Sequence, residues 1–171
     1  MPNSHIKTVQ RNALKAMLNT LTIANDYNRT LRRIGDPPKS PEQFGEYPAV
    51  NLDFGLERAA NQDRGGHTQA GANRYILENS YLVIMDFFMI AEDTALEQEN
   101  ILADVQTLFG KEYNYTIPTL GGAAGGVKTA LDSMFVSDLP FGLKINKPNC
   151  GIQIVYKVWY RQDSLNPSVL A

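Results

Sequence analysis

The chain reads as an α/β protein of the α+β type: a mixed, mostly antiparallel sheet with two helices packed on it and a long projecting loop or hairpin. Three observations point there. Two runs, Tyr81 to Ile90 and Ile152 to Arg161, carry the two-residue alternation or two-faced apolarity of long strands. Two others, near the N-terminus and after Thr94, repeat apolar residues at three- and four-residue steps. The order of these runs, with hairpin-like links and one helical link between strands, suits a sheet with helices laid on it. The 171 residues fit one domain, and 43% apolar composition is ordinary for a globular fold.

Ile6, Val9, Ala13, Met17 and Leu21 form one helical stripe. The helix is expected from about Ser4 to about Leu21, capped by Asn3 or Ser4. Tyr27 to Ile34 alternates weakly and predicts an exposed strand, ended by Asp36-Pro37-Pro38. Pro41 to Tyr47 is a loop. After Pro48, Val50, Leu52 and Phe54 face one way and Asn51 and Asp53 the other, as in a strand. Gly55 to Arg74 has few large apolar residues and is too long for an idle loop. It is expected to be an arm or hairpin that packs on a neighbouring subunit rather than on its own core. Arg58, Asp63, Arg64 and Arg74 are its candidate interface residues.

Tyr75 to Ile90 is expected as a central strand covered on both sides, by helices or by a neighbour, because both of its faces are apolar. Thr94-Ala95-Leu96-Glu97 matches a capping box, and Leu96, Ile101, Leu102, Val105, Leu108 and Phe109 then keep helical spacing up to Gly110. Tyr113 to Leu120 reads as a short strand and Gly121 to Gly126 as a glycine-rich loop. Met134 to Leu143 reads as irregular strand with a turn at Leu139-Pro140. Ser168 to Ala171 reads as a loose tail.

The residues that could carry chemistry argue against an enzyme. The loop Gly121-Thr129 approaches a phosphate-cradling P-loop through Gly122, Lys128 and Thr129. Val127, however, stands where the second glycine must let the backbone wrap the phosphate. A nucleotide-binding enzyme is therefore the weaker reading. His5 and His67 have no second ligand at metal spacing, so no metal and no cofactor are expected. The one cysteine, Cys150, reads as a small packed thiol, and a single cysteine forms no intramolecular disulfide. Glu92 and Asp93 read as acids favoured by a helix N-terminus. Arg29, Arg32 and Arg33 form a small basic cluster, either a solvated face or a contact for an acidic neighbour.

A net charge of −2 lacks the basic excess of a nucleic-acid-binding domain. The apolar runs are too short to span a bilayer, and the N-terminus lacks a signal-peptide core, so a cytosolic product without membrane contact is expected. Trp159 shares its strand face with Gln153, Lys157 and Arg161. An aromatic set among charges suits a subunit interface, which makes Trp159 and Arg161 candidates.

The layout resembles the tail terminator, or tail completion, proteins of long-tailed bacteriophages, the lambda terminator-like group. The resemblance lies in the N-terminal helix, the short strand Tyr47-Pro48-Ala49-Val50-Asn51-Leu52, the polar arm, the strand Tyr81 to Ile90 and the capped helix. It extends to a closing strand that ends Tyr160-Arg161-Gln162-Asp163-Ser164-Leu165-Asn166-Pro167. The insertion Gly121 to Gly126 departs from it. The resemblance implies a homo-oligomeric, usually hexameric ring in the virion tail or neck, assembled in the host cytoplasm. Such a ring caps the tail tube protein, ends its polymerisation and meets the head-side connector. DNA would pass through it unread, and no catalytic residue is implied. A head-completion or tube protein is the alternative within the same class.

Overall fold

A computed structural model describes residues 6–55, 58–59, 67–69, 75–111, 132–143 and 147–163. Two helices, α1 (Ile6–Leu18) and α2 (Thr94–Lys111), accompany seven strands. The strands are β1 (Arg33–Gly35), β2 (Ala49–Phe54), β3 (Arg58–Ala59), β4 (His67–Gln69), β5 (Tyr75–Met89), β6 (Asp132–Gly142) and β7 (Cys150–Asp163). Five of them run in the order β1-β2-β5-β7-β6, and β3 and β4 add to β5. Only β1 with β2 is parallel; every other pairing is antiparallel. The α+β class and the mostly antiparallel sheet with two helices stand as the sequence predicts.

The core lies between the helices and one face of the sheet. Ala13, Leu14, Met17 and Leu18 of α1 meet Tyr81, Val83, Met85, Phe87 and Met89 of β5. Ile101, Val105, Leu108 and Phe109 of α2 join Ile152, Ile154, Tyr156 and Val158 of β7 in the same cluster. The Tyr156 and Phe109 rings stack with centroids 3.9 Å apart. One polar pair sits inside: the Tyr81 hydroxyl donates to Gln10 Oε1 at 2.9 Å, which keeps a buried amide satisfied.

Several expectations need correction. Of Tyr27 to Ile34 only the last two residues enter a strand, β1. Tyr27 is buried, with the Lys111 ammonium 5.1 Å from its ring centre. The first helix ends at Leu18 rather than near Leu21, although Leu21 still packs in the core. Pro41–Phe44 is a short 3-10 turn inside the expected loop. No turn forms at Leu139-Pro140; β6 runs straight through it and is irregular only between Phe135 and Ser137, where Val136 is a bulge. The capping acceptor of α2 is Asp93, whose carboxylate takes the Leu96 N–H at 3.0 Å, while Glu97 turns away to Arg29.

Of the segment Gly55 to Arg74, expected as an arm or hairpin, the described residues beyond Gly55 are 58–59 and 67–69, and both short strands lie along β5. β2, β3 and β4 run one after another along the same edge of β5. The register slips by one residue between Phe54↔Val83 and Arg58↔Ser80. It slips by six between Ala59↔Asn79 and His67↔Leu77. Residues 58–59 and 67–69 thus pair with β5 of their own chain. The expected strand at Tyr113 to Leu120, the Gly121–Gly126 loop, His5 and the tail from Ser168 lie outside the described residues.

Candidate assembly interface

Both helices pack on one face of the sheet, so the two-sided cover expected for β5 is absent among the described residues. Among the described residues, the second face is covered at one end. There the chain from Asp36 to Pro48 folds over, and Phe44, Ala49 and Phe88 form a small cluster with Tyr47, Phe141 and Leu143. Asn51 fixes that fold: its side chain accepts the Lys39 N–H at 2.9 Å and donates to the Lys39 carbonyl at 2.7 Å. Asp36, meanwhile, pairs with Arg11 and Lys15 of α1.

Beyond that cluster no described residue covers the face. Leu82 on β5 and Met134 on β6 stand either side of Lys157 on β7, in one row across three strands. Ile84, Val155 and Ser137 make the next row. Leu139 then lies beside Gln153, whose amide donates to Asp86 at 2.8 Å. Leu82, Met134, Val136 and Leu139 are 38%, 53%, 46% and 60% exposed, a concentration of apolar surface on the open face and along β6. Since β6 ends the strand order, its outer edge has no partner strand among the described residues.

Of the residues singled out from sequence, Trp159 lies on this open face, half-buried, with the Lys157 ammonium 5.0 Å from its ring. Arg58 falls in the same row: it pairs with Ser80, and Ser80 pairs with Trp159. Arg161 is one step further out, opposite Glu78. Asp63, Arg64 and Arg74 lie outside the described residues, as do Lys128 and Thr129 of the glycine loop. Sequence patterning missed the exposed edge residues Val136 and Leu139, because an edge strand and a turn have the same composition there.

The basic cluster separates into three different environments. Arg29 is tied to Glu97 through Nε at 2.7 Å and through Nη2, and this hydrogen bond, chiefly, raises its pKa. Arg33 pairs with Glu46 at 2.6 Å on open surface. Arg32 is exposed and forms no salt bridge among the described residues. Cys150 is buried, and burial, then the Glu97 carboxylate, pushes its thiol pKa up, which opposes a thiolate nucleophile. A cavity of about 240 Å³ lies beside it. Its polar walls are already engaged: Gln98 donates to the Phe141 and Gly151 carbonyls, and Asn149 exchanges two hydrogen bonds with Ala91. Among the described residues no helix is long and apolar enough to cross a membrane. No protein-family model matches this chain, and no curated protein does.

Proposed function

We propose that this chain is a structural assembly protein of a long-tailed bacteriophage. It forms a ring on the end of the tail tube, stops tube growth and joins the tail to the head-side connector. The observation that carries the assembly reading is a sheet face and a β6 edge on which, among the described residues, nothing packs over Leu82, Met134, Val136 and Leu139. Apolar side chains gathered on one face, among charges such as Lys157 and Asp86, are the make-up of a surface that is covered in use. The phage context rests on the resemblance in layout stated above. In this reading the chain performs no reaction and needs no cofactor, and DNA passes through the ring without base contacts.

The test is to measure the mass of the 19.0 kDa chain in solution and its binding to purified tail tubes. A closed oligomer, alone or on the tube end, is expected. Changing Met134→Asp together with Leu139→Asp, both on β6 and more than half exposed, should abolish that oligomer while leaving the melting curve in place. A wild-type chain that stays monomeric and ignores tail tubes would remove the proposal.

A further inference from the structure

The two ends of the strand order differ in kind. At one end is β6, eleven residues long, with exposed Asp138 on it and no salt bridge to that carboxylate among the described residues. At the other is β1, three residues long, entered through exposed Arg32 and Arg33. Four strand spacings, roughly 19 Å, separate the two, and they border opposite sides of the sheet. One border carries Asp138 and the other Arg32 and Arg33.

The usable part of β6 is short. Val136 is bulged, which breaks regular pairing at that point, and Pro140 has no N–H to offer. Between them lie Ser137, Asp138 and Leu139, a stretch of the same three-residue length as β1. Pairing β6 with itself is disfavoured. An antiparallel self-match of that stretch sets Asp138 opposite its own copy, and like charges facing each other across strands repel. The Arg33–Glu46 pair is no obstacle, because both side chains are more than half exposed and such pairs exchange readily.

We infer that copies of this chain join head to tail by strand addition, with Ser137–Leu139 of one copy on the β1 edge of the next and Asp138 beside Arg32, since Asp138 and Arg32 both fall on the helix side of their strands. The inference rests on the assembly reading and specifies its contact. Each joined pair leaves one edge of either kind for a further copy, so the contact repeats, and it closes into a ring where the rotation between copies divides a full turn. Main-chain hydrogen bonds set the join, while the opposite charges choose the partner edge.

Cross-linking separates this from its rivals. Arg32→Cys and Asp138→Cys are made singly and together, then treated with a short bis-maleimide. Native Cys150 is 1% exposed and stays silent. The double variant should give a ladder of multimers, and a mixture of the two single variants should give dimers. Neither single variant alone should cross-link, and all should melt like wild type. Reversing Asp138→Arg or Arg32→Glu should weaken assembly, and the two reversals together should restore it. Dimers from Asp138→Cys alone would overturn the inference in favour of β6 self-pairing. Intact oligomers that never cross-link and ignore the charge reversals would overturn it while leaving the assembly reading standing. A chain that neither oligomerises nor binds tail tubes would end both.

Discussion

Replacing Asp104 should cost more than replacing any other acid among the described residues. Asp104 sits on α2 and is 3% exposed. Its Oδ1 accepts the backbone N–H of Asn28 and the Asn28 side-chain amide, both at 2.8 Å, and its Oδ2 accepts the Arg29 N–H at 2.9 Å. These bonds hold the segment after Asp26 against the helix, where Asp26 takes a left-handed turn at φ 64°. Hydrogen bonds to a charged group contribute about 1.5–3 kcal/mol each, and a donor stranded by mutation adds its own desolvation penalty. Asp104→Asn keeps one oxygen for Asn28 but turns an amide toward the Arg29 N–H, a net loss of about 2 kcal/mol. Asp104→Ala removes all three acceptor contacts, and partial access of water to the loop holds the loss to about 4 kcal/mol. For a domain of this size each kcal/mol lowers the melting temperature by about 2–4 °C, so circular dichroism should show drops of about 4–8 °C and 8–16 °C. Urea titration of the same variants gives the free energies directly. If Asp104→Asn unfolds within about 0.5 kcal/mol of wild type, as an ordinary surface change would, the clamp is not a stabilising element.

Gly151→Ala should destabilise by about 1–3 kcal/mol through overpacking. A Cβ there would overlap the Phe141 ring and come within 2.6 Å of the Phe87 carbonyl, which belongs to the central strand and cannot retreat; chemical denaturation checks it. Burial pushes the Tyr156 phenol up to about 12. Between about pH 10, the unfolded value, and 12 the unfolded chain has lost a proton the folded chain keeps, so stability should fall as pH rises through that window. The slope should shrink in Tyr156→Phe, measured by denaturant titration at several alkaline pH values; identical slopes in the two proteins would contradict the assignment.

The long periodic runs were legible because their side chains answer to one large effect. The alternation of Val83, Met85 and Phe87, and of Ile152, Ile154 and Tyr156, follows directly from burying one face of a pleat. What was not legible depends on polar partners distant in sequence. Tyr27 to Arg32 looked like a weak strand, yet its backbone is taken up by Asp104, Leu21 and Pro48. Glu97 fits a capping box locally, but Arg29 lies close enough to claim it. The apolar count of β5 predicted cover on both faces. Periodicity reports that a face is apolar, not whether its cover belongs to the same chain. Of the candidate interface set, Trp159 was readable from its charged strand neighbours. The exposure of Val136 and Leu139 needed the edge position of β6, which is a property of topology.

The proportions of the sheet bear on why such a chain would assemble. β5 has 15 residues and β7 has 14, close to 50 Å of extended backbone. α1 and α2, at 13 and 18 residues, are only about 20 and 27 Å long. The β5–β7 ladder runs from Met89↔Cys150 to Ile76↔Asp163, with β3 and β4 alongside β5. Among the described residues, a two-helix layer on one side leaves part of the other face uncovered and two dissimilar edges. A third helix or a second sheet would be the intrachain remedy. Neighbouring copies are the other remedy, and the opposite charges on the β1 and β6 borders favour copies that meet border to border in one direction around a ring.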